Sequence, residues 1–122
     1  MILVDTSVWV DHLRRGDPAL AQRLEAGEVL GHPLVTGELA MGNLRQRETV
    51  LAALKALPPA VVATDDEVLA FIEREALHGL GVGYLDAHLL AATRLSPDAR
   101  LWTRDRRLGD LADRKGLAVL HP

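Results

Sequence analysis

Asp5, Glu38, Asp86 and Asp105 are the residues of this sequence best suited to do chemistry together. Asp5 ends the apolar run Ile2-Leu3-Val4, and Asp105 closely follows the run Leu101-Trp102-Thr103. Glu38 and Asp86 each lie beside a stripe of apolar residues at helical spacing, within residues 34–44 and 84–93. A carboxylate next to a buried face is costly to desolvate unless something offsets its charge. If these acids converge on one pocket, their repulsion calls for protons or a cation. Hard oxygen donors without Cys or His select Mg²⁺ or Mn²⁺. An ion held in that way suits phosphodiester hydrolysis, because it lowers the pKa of a water and stabilises charge on the phosphate and the leaving oxygen.

The neighbours of the acids add to this pattern. Thr6, Ser7 and Thr103 stand beside Asp5 and Asp105, where hydroxyls could orient a carboxylate or a water. Arg104, Arg106 and Arg107 flank Asp105 and could form a local positive rim. Each feature also has an ordinary structural explanation. Asp5, Thr6 or Ser7 could serve as a helix N-cap, and Asp86 falls in a first helical turn, where the dipole favours an acid. Glu38 could turn to water or pair with Arg45, and the arginines could form a solvated helix face. His88 reads as a surface or partly buried histidine rather than a ligand, since no second His lies at i,i+4 on its helix.

The elements that must position these residues alternate between strand and helix. Residues 2–4 read as a buried parallel strand running into a helix through Val8 and Leu13. Asp17-Pro18 opens a helix through Leu20 and Leu24 that stops at Gly27. Residues 28–31 are a short strand, residues 34–44 and 47–57 are helices, and Pro58-Pro59 breaks the chain. Residues 61–63 are a further strand candidate. Asp65-Asp66-Glu67 opens a helix carrying Val68, Leu69, Ile72, Ala76 and Leu77. The glycines of residues 79–83 match neither phosphate-binding pattern and read as a connector. A helix over 84–93, a strand over 100–103, a helix through Leu108 and Leu111 ended by Gly116, and a strand over 117–120 complete the chain. This order predicts an α/β fold with a parallel sheet, in which Asp5 and Asp105 open on one edge.

Composition sets the remaining bounds. A chain of 122 residues is expected to form a single domain over 1–122. With 48% hydrophobic residues and only 3% aromatic, its core should be Leu, Val and Ala. The absence of cysteine excludes a disulfide framework, a thiolate metal site and a cysteine nucleophile, and points to the cytoplasm. Asp5 interrupts the first apolar run too early for a signal peptide or a membrane span. A net charge of −3 is not the basic footprint of a general nucleic-acid binder, so any such contact must be local.

The segments Val4-Asp5-Thr6-Ser7, Thr36-Gly37-Glu38-Leu39, 85–93 and Leu101-Trp102-Thr103-Arg104-Asp105 resemble, in order and spacing, the PIN-domain family. The likeness is closest to the VapC-type toxin ribonucleases of toxin–antitoxin pairs and covers nearly the whole chain. It implies a three-layer α/β/α sandwich with a central, mainly parallel sheet. It also implies Mg²⁺- or Mn²⁺-dependent RNA cleavage leaving a 5′-phosphate and a 3′-hydroxyl. Asp5, Glu38, Asp86 and Asp105 then carry over as metal ligands and as the group activating the water, with Thr103 and Thr6 or Ser7 as the accompanying hydroxyls. Arg45, Arg104, Arg106 and Arg107 become candidate RNA contacts. A homodimer and a cognate antitoxin are the partners implied. Leu108 stands where the family often has an aromatic.

Rival readings fit less well. A haloacid-dehalogenase-type phosphatase requires a second Asp where this chain has Ser7, and a response-regulator receiver requires an acidic pair at the first strand's end. The surviving alternative is a non-catalytic PIN-like module that binds RNA or protein, since ligand geometry rather than sequence decides activity.

Overall fold

The computed structural model describes residues 1–119. At its centre is β1 (Ile2–Val4), buried along its length and paired in parallel with β2 (Val29–Leu30) and β3 (Arg100–Trp102), giving the order β2-β1-β3. Leu3 lies opposite Leu30 on one side and Leu101 on the other. A strand covered on both faces gains from unbroken apolar sequence, which is why the run Ile2-Leu3-Val4 settles here.

The sheet is extended at both edges by single parallel bridges, Gly31 with Pro59 and Leu101 with Ala118. The first lies earlier than the expected strand over 61–63, which has no regular structure. Gly31 donates to Pro58 O and Ala60 donates back to Gly31 O, each at 2.8 Å. Val61 instead gives its N–H to Ser96 Oγ at 2.9 Å. The β-branched pair Val61-Val62 is exposed, and the pairing falls on an edge, where a proline that cannot donate is tolerated. At the other edge Leu101 N donates to Leu117 O and Val119 N to Leu101 O. Of the last expected strand, Leu120 lies outside the described residues.

The helices are α1 (Thr6–Arg15), α2 (Pro18–Glu25), α3 (Pro33–Ala40), α4 (Arg47–Lys55), α5 (Asp65–Glu75), α6 (Tyr84–Leu95) and α7 (Arg106–Arg114). Helix α3 packs with α1 and α4, while α6 packs with α5 and β3, so the sheet is the middle layer of an α/β/α sandwich. Among the described residues no helix is long and apolar enough to cross a membrane. The core is mainly Leu, Val and Ala, with Trp9, Phe71 and Trp102 as its large aromatics.

Helices α4 and α5 end about two residues before the sequence expectation, at Lys55 and Glu75, and α3 and α6 differ from it more. Helix α3 ends at Ala40, leaving Gly42 and Leu44 outside it. The Arg47 guanidinium bonds the carbonyls of Ala40 and Gly42 there, and a cation at that end also suits the helix dipole. Helix α6 is buried on all sides from Ala87 to Thr93 rather than along one stripe. His88 is therefore buried, not superficial.

Candidate metal centre

Asp5 follows β1 directly and is only 9% exposed. It occupies the N-cap position of α1, yet its side chain makes no cap bond. Asp5 Oδ2 accepts hydrogen bonds from Ser7 Oγ at 2.8 Å and Thr103 Oγ1 at 2.7 Å. Its backbone N–H is tied to Trp102 O at 2.9 Å, which locks the ends of β1 and β3 together. The carboxylate is thus aimed by hydroxyls from two parts of the chain. Thr6 opens α1 and, among the described residues, its side chain joins no hydrogen bond.

The other acids come from three further elements. Asp105 caps α7, with Oδ1 accepting from Leu108 N at 2.9 Å, and its own N–H donates to Thr103 Oγ1 at 3.0 Å. Asp86 lies in the first turn of α6, where Oδ2 accepts from Gly83 N at 3.1 Å. Glu38 is exposed in the last turn of α3. The first-turn position anticipated for Asp86 is thus present, whereas the side-chain cap considered for Asp5 is made instead by Asp105 on its own helix.

What joins the acids is the environment of Asp86. Burial pushes its carboxyl above the usual aspartate range; the Gly83 N–H opposes this, and the negative charges of Asp5, Asp105 and Glu38 push it further up. Each of those acids is therefore near enough for its field to reach Asp86. Among the described residues none of the four forms an ion pair with Lys, Arg or His. Nor is any group of three or more His, Asp or Glu side chains there already arranged to hold a metal ion. Asp5 accepts from two hydroxyls, and Asp86 and Asp105 each accept from a backbone N–H. The donor chemistry, uncompensated carboxylates and nothing softer, fits Mg²⁺ or Mn²⁺.

The arginines divide into two kinds. Arg104 is held by Asp11 and Asp17, and its own pKa is raised by those bonds. Arg45, Arg106 and Arg107 are exposed and have no acidic partner among the described residues. Arg107 lies across Gly81, where an added Cβ would stand 2.4 Å from Nη1. Gly81 also has a φ of +81°, so the glycine connector gives close approach to an arginine rather than a phosphate loop. A cleft of about 580 Å³ along α3 and α4 is lined by residues that include Thr36, Gly37, Leu51 and Leu54 and by none of the four acids.

Sequence reasoning missed two features around this centre. Asp11 and Asp17 reach Arg104 across 93 and 87 residues, a separation no local pattern reveals. His32 is 2% exposed and caps α3, the helix bearing Glu38, through Nδ1, which accepts from Leu34 N at 3.1 Å. Burial, and then the neighbouring His88, push the His32 pKa down to about 4. Its place just before Pro33, at a helix start, was the available signal.

A family profile for the PIN domain matches residues 2–114. The chain is 48% identical over 119 residues to ribonuclease VapC32 of Mycobacterium tuberculosis, an alignment spanning 98% of this chain and 96% of the relative. It is 40% identical over 118 residues to ribonuclease VapC19 of the same organism, spanning 88% and 90% respectively. A profile match that takes in Asp5, Glu38, Asp86 and Asp105 together with the sheet between them makes this chain a member of the PIN-domain family.

Proposed function

We propose that this chain, acting as a single domain, is a Mg²⁺- or Mn²⁺-dependent endoribonuclease and the toxin of a toxin–antitoxin pair. The observation that carries the reading is the Thr103 hydroxyl, which donates to Asp5 Oδ2 at 2.7 Å and accepts the Asp105 N–H at 3.0 Å, linking two of the four acids just beyond the ends of β1 and β3. Nuclease chemistry and the antitoxin partner rest on likeness to proteins named ribonuclease VapC. The working compartment in this reading is the cytoplasm, and the working form is a homodimer.

Asp5, Glu38, Asp86 and Asp105 would hold the ion, which when bound supplies a more acidic water and charge stabilisation at the phosphate. Ser7 and Thr103 keep Asp5 Oδ2 in one orientation, so the carboxylate is aimed before any ligand arrives. Asp86 engages Gly83 through Oδ2 and keeps Oδ1 to bind the ion or accept the proton of the attacking water. Asp105 likewise spends Oδ1 on Leu108 and keeps Oδ2. Arg45, Arg106 and Arg107 contact RNA phosphates, and the products carry a 5′-phosphate and a 3′-hydroxyl.

The test is incubation of total RNA, including tRNA, with wild type and Asp5→Asn, in Mg²⁺ or Mn²⁺ and in chelator. Discrete metal-dependent products that vanish in the variant support the nuclease. RNA retained but uncut by the wild type would favour the non-catalytic binding module instead.

A further inference from the structure

The structure assigns Arg104 a different task from the RNA contact that its neighbours suggest. We propose that Arg104 is a positioning residue, a clamp that fixes the loop carrying Thr103 and Asp105 against α1 and α2 and so keeps Asp5 aimed. Its role in the reaction rests on the nuclease reading above; the clamp itself does not.

Arg104 works through both main chain and side chain. Its backbone N–H donates to Ser7 Oγ at 3.0 Å, and Ser7 in turn donates to Asp5 Oδ2 at 2.8 Å. Directly before it, Thr103 donates to the same Asp5 oxygen; directly after it, Asp105 N–H donates to Thr103 Oγ1. Displacement of this one residue would disturb each of those bonds.

The side chain supplies the restraint. Nη1 bonds Asp11 Oδ2 on α1, Nη2 bonds Asp17 Oδ2 at the start of α2, and the guanidinium lies 5.8 Å from the Trp102 ring centre. Asp17 is itself fixed, since its Oδ1 caps α2 through Leu20 N and its N–H donates to His12 Nδ1. A planar fork can span two carboxylates in this way, whereas an ammonium is a single point of charge. The anchors are among the less exposed acids of the surface, with side chains 31% and 15% accessible. The two pairs offset the charge of Arg104, so an RNA phosphate would meet this guanidinium already flanked by two carboxylates.

The test uses two variants of the full chain. Arg104→Gln removes the clamp. The double variant Asp11→Asn with Asp17→Asn leaves Arg104 in place but releases it, and Asn at 17 remains a competent N-cap. Amide exchange at Arg104 and Asp105 is followed by NMR, with Mn²⁺ affinity and RNA affinity measured on the same samples. Both variants should exchange these amides about tenfold faster than wild type while the core amides stay protected. Both should also bind Mn²⁺ more weakly. Unchanged exchange in either variant overturns the clamp. So does a double variant with wild-type Mn²⁺ affinity whose gain in RNA affinity disappears when Arg104→Gln is added, since that identifies an RNA contact. A wild type that binds no Mn²⁺ and cuts no RNA would remove the nuclease reading, with the clamp still decided by exchange.

Discussion

Thr103 Oγ1 donates to Asp5 Oδ2 at 2.7 Å, joining residues 98 apart in the sequence. The same oxygen of Thr103 accepts the Asp105 N–H at 3.0 Å, so one hydroxyl links the acids at the ends of neighbouring strands. Such outer contacts fix the direction of a carboxylate before it meets a ligand.

Thr103→Val keeps the side-chain volume and removes both bonds. Mn²⁺ affinity, measured by calorimetry, should fall about tenfold or more, and the melting temperature should drop by a few degrees for a lost charge-assisted bond. Thr103→Ser should restore most of the affinity. Full Mn²⁺ binding by the valine variant would mean that Asp5 needs no such support.

Asp86→Asn should stabilise the fold while abolishing RNA cleavage. The ionised Asp86 is disfavoured by burial and by the charges of Asp5, Asp105 and Glu38, and the amide oxygen of Asn can still accept from Gly83 N. A thermal melt without divalent metal should therefore rise by a few degrees. A lower melting temperature would show that the repulsion inferred at Asp86 is not felt by the folded protein.

His32 gives the fold a pH dependence of known sign. Its pKa is pushed down to about 4 from an ordinary 6.5, so the unfolded chain takes up the proton first. The stability contributed by neutral His32 is complete above pH 6.5 and is lost as pH falls towards 4, by about 3 kcal/mol in full. Denaturant melts between pH 7 and 4.5 should show this loss in the wild type. His32→Asn, which retains a capping oxygen, should have a flatter profile. Parallel profiles would count against a neutral buried imidazole.

Gly81→Ala should weaken RNA binding more than it weakens metal binding. The new Cβ would collide with the Arg107 guanidinium and would sit on a backbone with φ of +81°. Filter-binding affinity for RNA should fall several-fold, matching Arg107→Ala, with Mn²⁺ affinity unchanged. A variant that loses Mn²⁺ and RNA together would place the glycine in the support of Asp86 instead.

Much of this arrangement was legible in the sequence because its signals were local. Unbroken apolar runs before Asp5 and near Asp105 marked the paired strands, and Asp17-Pro18 and Gly27 marked the bounds of α2. Val61-Val62 misled because β-branched residues were read as a strand, whereas backbone partners decide pairing and Val61 N–H goes to Ser96. Apolar spacing gave one face of α6 but not its burial on every side, which depends on what packs around it. Arg104 looked like part of a basic rim beside Asp105, and its acidic anchors lie too far away in sequence to be seen. The hydroxyls could be matched to Asp5 by position, while the choice of Ser7 over Thr6 belongs to geometry alone.

The most direct test of the shared metal centre is a Mn²⁺ binding isotherm for wild type, Asp5→Asn, Glu38→Gln, Asp86→Asn and Asp105→Asn, with folding checked by far-UV circular dichroism. Saturable binding by the wild type that is weakened at least tenfold in every folded variant is the expected result. Wild-type affinity in any one variant would remove that acid from the centre. Failure of the folded wild type to bind would contradict the centre as a whole.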